Sequence, residues 1–568
     1  MWGSQPCLAQ VIGTGSDGVT YTLQDVWSDG AYNAFTDLTN YDGNWYMVFR
    51  TASTHGIPPP GQGGYVRVLE STNGQTWTSV ALLSGSGDLR DPKISVTPSN
   101  QLMIIAGDVS QSDLVQSAAW FSSNGTSWGN ENATGIPDYW TWRTVWHNGV
   151  GYGITYGPNL GGAPDGSSQT TWLSTTTDGL NYTAPAIQLN PTREQATESG
   201  LTFLPNGTAV MLTRCNWDTN STMGIATAAS NYTNWTFTNC NLQVQSPDLL
   251  TLPDGRIVAA GRIYSNGLAY TDLSWLDPST GTVTPFLTFP INASFDDTGY
   301  PGVCWYNGKL LVSYYSATAT PGADIFVAQV SIPNPSWASA VSGNWSTASN
   351  WGGAAPGAVG AVVAFNAPTN SPLTITLDSP QTVGTLQLGN SGSPSVGYTL
   401  TGSGTNTLTL NNSGSGAMIA VSNGTHVIDA PVVMADNLVV TGSGTLQFGE
   451  SSSITESGGH YALTMNGAGV TLILSGSDDY TGGTNVTAGT LALTSNAAIA
   501  AGTSLTVTDG GVFLYDPTVA TASLGAVSQA APAFSPVPEP GTPALLAAGL
   551  VAGLGLWRGR KGTRDQNL

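Results

Sequence analysis

Residues 198–214 read ESGLTFLPNGTAVMLTR, and this stretch sets the plan of the first half of the chain. A charged start leads into an apolar strand, an Asn206-Gly207 turn and a second apolar strand ending on Arg214. Asn-Gly between two apolar runs is a strong short-range hairpin signal. Five more stretches share the layout: 35–50 (FTDLTNYDGNWYMVFR), 90–107 (RDPKISVTPSNQLMIIAG), 142–156 (WRTVWHNGVGYGITY), 247–262 (PDLLTLPDGRIVAAGR) and 300–315 (YPGVCWYNGKLLVSYY). Their starts recur about every 50 residues, and each is followed by a third and usually a fourth strand, such as 65–70 and 77–83. Fifty residues with four strands make about one propeller blade, so the repeats predict an all-β chain opening with a six-bladed β-propeller. The last unit has room for only three strands before Pro333, and 19–26 (VTYTLQDV) is expected to supply the fourth and close the ring. A β-sandwich is the alternative, but it leaves the fixed period unexplained.

Composition agrees with this class and narrows the compartment. At 568 residues the chain should hold more than one domain. Charged residues are only 9%, with 71 Gly and 33 Pro, as in turn-rich all-β exported proteins. A net charge of -21 excludes nucleic acid as a partner, because neutralising phosphates needs Lys and Arg. Neither basic residue occurs between Lys309 and Arg558, so two different materials join near residue 335. Four cysteines do not make a disulfide framework. Cys215 and Cys240 fall in one expected sheet, which leaves open a disulfide or two buried thiols. No Cys/His cluster has zinc spacing, and neither a metal nor another cofactor is expected.

The organisation follows: an N-terminal region 1–17, a propeller over 18–335, a strand-repeat region over 336–518, a linker over 519–536 and a C-terminal segment over 537–568. Met1-Trp-Gly-Ser-Gln-Pro lacks the basic and apolar parts of a signal peptide. It reads as a misplaced start or truncated leader, with Cys7-Leu-Ala-Gln10 as the remnant of a cleavage region. In 336–518, short alternating strands such as 373–377 and 407–410 are separated by Gly, Ser and Asn, which predicts a parallel β-helix-like solenoid.

Three resemblances add to this. Val537-Pro538-Glu539-Pro540-Gly541-Thr542, the apolar run 544–557 and the basic Arg558-Gly559-Arg560-Lys561 resemble the PEP-CTERM sorting signal. That resemblance implies export, processing by an exosortase-type membrane enzyme, a hydrophobic sorting helix and a cell-surface or matrix location with transient or permanent membrane anchoring. A tail anchor or a packed terminal helix is the alternative, although the run is short for a span of about 20 residues. The stretch 472–493, with LILSG and TNVTAGTLAL, resembles the autotransporter-associated β-strand repeat and implies a surface stalk or spacer. Finally, 71–77 (STNGQTW), 122–128 (SSNGTSW) and 176–182 (TTDGLNY) resemble the Asp-box turn of sialidases, one residue shorter, at the same place in successive blades. The Asp or Asn side chain of such a turn bonds its own backbone, and the aromatic packs between sheets.

Because strands alternate in direction, first-strand starts and second-strand ends share the face opposite these turns. That face collects Asp37, Arg90, Asp91, Trp142, Arg143, Glu198, Asp248 and Tyr300 from strand starts, and Arg50, Tyr156, Arg214, Arg262 and Tyr315 from strand ends, with His55 just beyond. Five of the eight propeller arginines are in this set, which points to an acidic or hydroxylated ligand; Arg–Asp pairs pinning blades are the structural alternative. The resemblance to the sialidase-like superfamily, over 19–332, implies a glycoside hydrolase of retaining mechanism acting on an extracellular glycan or polysaccharide. Tyr300 would be the nucleophile and Glu198 its activator, so their side chains should approach hydrogen-bond distance. Arg214 would hold a substrate carboxylate, with Arg262 as a further member, and Arg50 and Asp91 would line the pocket; Arg90, Arg143 and Asp248 complete the substrate-binding set.

The chain departs from the family in two ways. Phe35-Thr36-Asp37-Leu38 stands where members carry Arg-Ile-Pro, and no Asp lies between Arg50 and Gly64 to act as acid/base. His55 is the titratable group there, and imidazole suits proton transfer near neutral pH. An enzyme acting on another sugar through Asp91, Glu198 and Asp248, a non-catalytic glycan-binding or adhesive protein, and a structural matrix protein with a vestigial propeller stay open.

Overall fold

A computed structural model describes residues 11–515 except 17, 60–62, 110–114, 137–138, 159–168, 184–186, 190–195, 216–219, 291–296, 318–321 and 394–395. The leader remnant at Cys7, the linker and the C-terminal sorting helix lie outside the described residues. Among the described residues no helix is long and apolar enough to cross a membrane.

The first half is propeller-like. Four separate four-stranded antiparallel sheets run from Asp88–Val96 to Asn132–Thr134, from Trp140–His147 to Ile187–Leu189, from Ala196–Phe203 to Thr236–Asn239 and from Gln245–Thr251 to Val283–Thr288. Among the described residues these are four separate blades, not the six expected. The remaining strands, Val11–Thr14 through Thr78–Leu83 and Thr298–Tyr306 through Ala323–Ser331, join in one nine-stranded sheet. Its two antiparallel halves meet in a single parallel pair, Tyr32 with Ala323. The cause is a short crossing. Thr20–Trp27 pairs with Ala323–Ser331, with Thr20 opposite Ser331, and residues 28–31 carry the chain directly into Tyr32–Tyr41. Asp29 fixes that crossing by accepting from Trp27 Nε1 and the Ala31 N–H, both at 3.0 Å, and from Asn33 Nδ2 at 2.8 Å.

The six first strands pack side by side in chain order, and Thr298–Tyr306 returns to Tyr32–Tyr41. Each carries one extra residue against its partner at the same place. The shifts fall between Ala34 and Asp37, Arg90 and Lys93, Thr141 and Arg143, Ala196 and Ser199, Gln245 and Asp248, and Gly299 and Gly302. A bulge of this kind bends the strand and re-aims a side chain.

The three Asp-box-like turns share one hydrogen-bond pattern. Asn73 Oδ1 accepts the N–H groups of Gln75 and Thr76 at 2.8 and 2.9 Å, Asn124 Oδ1 those of Thr126 and Ser127 at 3.0 and 2.8 Å, and Asp178 Oδ1 those of Leu180 and Asn181, both at 2.8 Å. Their glycines have positive φ and face the preceding unit. A Cβ on Gly125 would meet the Tyr46 ring at 2.1 Å, one on Gly179 would meet Met103 Sδ at 2.6 Å, and one on Gly74 would meet Leu311 at 3.0 Å. Cys215 and Cys240 are both buried, and Cys240 is a free cysteine, so the two do not form the disulfide.

The second half is a β-solenoid of about 7 turns built of parallel pairs. Alternate residues point inward, and like side chains stack: Leu408 on Val432 on Ile454, and Leu472 on Leu491. The first coil is closed by an aromatic plug of Trp337, Trp345, Trp351 and Phe365, in which Trp345 Nε1 donates to the Pro356 carbonyl at 2.8 Å and Trp351 Nε1 to the Trp345 carbonyl at 2.7 Å. The solenoid is docked on the propeller. The Gly357 N–H donates to the Asp254 carbonyl at 2.9 Å, and Arg256 Nη2 donates to the Pro333 carbonyl at 2.8 Å.

Candidate active site

The bulges build the site. Four of the extra residues are held at positive φ without being glycine: Phe35 at 62°, Asp91 at 49°, Ser246 at 50° and Tyr300 at 49°. Such a backbone costs an aromatic residue about 1–3 kcal/mol and survives only where the surroundings enforce it.

Tyr300 Oη donates to Glu198 Oε1 at 2.7 Å. The other oxygen of Glu198, Oε2, accepts from Arg214 Nη1 at 2.7 Å, the Ser246 N–H at 3.0 Å and Ser246 Oγ at 2.8 Å. Burial would push the Glu198 carboxyl up, but the charge and hydrogen bond of Arg214, with the Tyr300 and Ser246 hydroxyls, hold it below the usual range. Burial and the neighbouring charges of Glu198 and Asp91 push the Tyr300 phenol the other way, well above its ordinary value. At rest the proton therefore sits on Tyr300, hydrogen-bonded to a fixed carboxylate. Asp91 is buried, its Oδ1 has no hydrogen-bond partner, and its carboxyl is pushed up to about 6 by burial, with Glu198 adding to the rise against Arg90 and Lys93.

An aromatic wall surrounds the phenol. Phe35 and Trp142 lie at 4.7 and 5.8 Å from the Tyr300 ring, and half-buried Trp140 stacks on Tyr156 at 6.0 Å. On the other side of Phe35 is His55, with ring centroids 5.5 Å apart and a side chain 51% exposed. His55 Nδ1 lies 3.0 Å from Asp297 Oδ2 and 2.6 Å from Tyr32 Oη. Asp297 also accepts from Tyr32 Oη, from Tyr315 Oη at 2.5 Å and from Arg262 Nη2 at 3.2 Å. Burial opposes ionisation of Asp297, but the bonds from His55, Tyr315 and Tyr32 and the charge of Arg262 bring its carboxyl down to about 2. Arg262 spends Nε on the Thr298 carbonyl and Nη2 on Asp297 and, at 3.0 Å, on Tyr315 Oη, while its guanidinium lies 5.6 Å from the Tyr300 ring centroid.

The other residues expected at the mouth stand apart. Arg50 is fully buried: Nε and Nη2 grip Asp88 at 2.8 and 3.0 Å, and Nη1 and Nη2 donate to the carbonyls of Thr54 and Gly56, both at 2.9 Å. Arg90 leans over Phe35 at 5.4 Å and donates to the His55 carbonyl at 3.2 Å. Arg143 is held between Asp37 at 3.2 Å and Asp248 at 3.3 Å. Those two carboxylates also staple neighbouring units, Asp37 accepting the Ile94 N–H and Asp248 the Val303 N–H, both at 3.0 Å. Burial pushes the Asp248 carboxyl up to about 6 against the pull of Arg143. The arrangement therefore brings Tyr300, Glu198, Arg214, Arg262, His55 and Asp91 around one aromatic-lined mouth and leaves Arg50, Arg143 and Asp248 in ion pairs between strands.

Asp297 and Asp88 were not among the sequence candidates. Asp88 opens one first strand and Asp297 immediately precedes another, and the arginines that grip them, Arg50 and Arg262, come from earlier second strands, so no local pattern marks them. A separate cleft of about 650 Å³ lies at the propeller–solenoid junction, lined by Asp277, Ser346 and Gln381 among others, away from this chemistry. Among the described residues no group of three or more His, Cys, Asp or Glu is placed to hold a metal.

Residues 536–561 match the PEP-CTERM protein-sorting motif, which implies export and cell-surface association. No curated protein matches the chain. Among solved structures, similarity extends to a protein of unknown function from Dyadobacter fermentans (16% identity, 54% of this chain and 96% of that one, TM-score 0.46). It also extends to the Penicillium chrysogenum alpha-L-arabinanase complexed with arabinobiose (13%, 57% and 98%, 0.40) and the Hadza microbial sialidase Hz136 (12%, 53% and 65%, 0.41). Several of these neighbours are glycoside hydrolases of propeller fold, at low identity.

Proposed function

We propose that this protein is an exported, surface-associated glycoside hydrolase acting on extracellular glycan, with Tyr300 as nucleophile. The observation that carries the reading is the 2.7 Å hydrogen bond from Tyr300 Oη to a Glu198 carboxylate held by Arg214 and Ser246. A buried phenol is a poor nucleophile, and the adjacent carboxylate supplies the missing base. As positive charge grows on the anomeric carbon, Tyr300 Oη bonds to it and passes its proton to Glu198 Oε1. The bond to the leaving oxygen breaks, and that oxygen takes a proton from His55, which Asp297 orients through Nδ1. Water then displaces Tyr300, giving a proton to His55 while Glu198 returns its proton to the departing Tyr300 oxygen, so the anomeric configuration is retained. Asp91 and the aromatic wall shape the sugar pocket, and Arg214 faces it as a donor.

On this reading the propeller-like region over 18–335 carries the site. The solenoid over 336–518, with the autotransporter-like repeat, is a spacer. The linker 519–536 and the segment 537–568 deliver the chain to an exosortase-type enzyme at the membrane. A second reading, glycan binding without turnover, draws on Phe35 in place of the family's arginine. The full-length protein assayed on a panel of aryl glycosides separates the two: turnover lost in Tyr300→Phe and Glu198→Gln supports the enzyme, and binding without turnover supports the second reading.

A further inference from the structure

Among the described residues, each arginine of this mouth has a carboxylate of the protein within 4 Å, although Arg214 Nε has no hydrogen-bond partner. Arg50 and Arg90 lie 2.8 and 3.8 Å from Asp88, Arg143 lies 3.2 and 3.3 Å from Asp37 and Asp248, Arg214 lies 2.7 Å from Glu198, and Arg262 lies 3.2 Å from Asp297. Lys93 is buried against the Trp142 ring at 4.7 Å, beside Asp37, Asp91 and Asp248. Recognition of a sugar carboxylate needs an arginine that can present a parallel pair of N–H donors and a site with positive charge to spare. Arg262, beside Tyr300, presents neither: Nε is on the Thr298 carbonyl, and Nη2 is shared by Asp297 and Tyr315. Asp297 thus stands where a ligand carboxylate would have to stand. A second anion there would be desolvated against Asp297 and Glu198, with Arg262 already engaged by Asp297 and Tyr315.

We propose that the mouth takes an uncharged sugar residue and that Asp297 sets this specificity by occupying Arg262. The inference rests on the reading of the Tyr300 mouth as a glycan site. It replaces the acidic ligand suggested by the count of arginines with a hydroxylated, neutral one. A sugar face then packs on half-buried Trp140, and the Asp91 and His55 side chains remain for hydroxyl groups.

The test compares matched aryl glycosides that differ only in a carboxylate: glucoside with glucuronide, and galactoside with galacturonide, together with an aryl sialoside. Each is assayed for binding and turnover on the full-length protein, on Asp297→Asn and on Tyr300→Phe. Asp297→Glu, which keeps the charge, and a melting curve for each variant guard against loss of fold. Wild type is expected to favour the neutral member of a pair at least tenfold, with little dependence on salt. Asp297→Asn should narrow that preference at least tenfold by gaining on the carboxylated member, and Asp297→Glu should not. A wild-type preference for the glucuronide, the galacturonide or the sialoside overturns the proposal while leaving the glycan site standing. If no glycoside of either kind responds to Tyr300→Phe, the glycan reading itself falls, and the proposal with it.

Discussion

Replacing Glu198 by Ala removes, in one step, the acceptor of four hydrogen bonds: one from Tyr300, one from Arg214 and two from Ser246. The larger loss is electrostatic. Arg214 keeps its charge and loses its carboxylate, and breaking a buried pair from one side costs about 3–5 kcal/mol. The Arg214 side chain is 21% exposed, so water recovers part of this and about 3 kcal/mol is expected. Glu198→Gln keeps the shape and leaves a neutral acceptor for Arg214 and Ser246, while its amide turns toward Tyr300 and reverses that bond. Exchanging charge-assisted bonds for neutral ones costs about 1 kcal/mol. The two variants should therefore separate in calorimetry, Ala lowering the propeller transition by several degrees more than Gln. They should coincide in turnover, each losing roughly 100- to 10,000-fold as the base is removed. An Ala variant as stable as wild type would refute the buried ion pair, and a Gln variant with wild-type turnover would refute the role of Glu198.

Three further outcomes follow from the geometry. Gly125→Ala places a Cβ 2.1 Å from the Tyr46 ring at φ 75°, so it should cost about 1–3 kcal/mol, read as a lowered propeller transition, whereas Gly30→Ala, with nothing within 4 Å, should cost less. Asp91 has a folded-state carboxyl near 6, above its unfolded value, so its ionisation opposes folding as pH rises from about 4 to 6. Asp91→Asn should be more stable than wild type above pH 6, by up to about 3 kcal/mol, with the difference gone near pH 4 in melting curves taken across that range. Arg143→Leu leaves Asp37 and Asp248 facing each other in the buried centre and should cost about 3–5 kcal/mol in the same calorimetric transition, far more than removal of an exposed pair.

The parts of this molecule that could be read from sequence are those written locally. Asn-Gly and Asp-Gly turns, the strand period and the Asp-box-like stretches lie within a few residues of each other, and each returns in the structure with its own hydrogen bonds. The closing strand at 19–26 was legible because the last unit was one strand short. What escaped was the crossing at Asp29, where four residues are too few to separate two sheets and the first and last units merge at Tyr32 and Ala323. In the site, Tyr300 and Glu198 were visible as strand starts at equivalent positions. Asp297 was not, because its meaning comes from Tyr32, His55, Arg262 and Tyr315, which converge on it from across the chain. Arg50 and Arg143 show the reverse error of the same reasoning: sequence placed them on the ligand face, and buried carboxylates at Asp88, Asp37 and Asp248 consume them. The bulges decide between such fates, since one extra residue turns Tyr300 and Asp91 toward the mouth while their neighbours stay in the ladder.

The most direct test of the account is to trap the intermediate. A panel of fluorinated neutral glycosyl fluorides is incubated with the full-length protein, which is then digested and analysed by mass spectrometry. The account predicts one glycosyl adduct, on the peptide containing Tyr300, absent in Tyr300→Phe. An adduct on Asp91, Asp248 or Glu198 instead, or turnover unchanged in Tyr300→Phe, would contradict it.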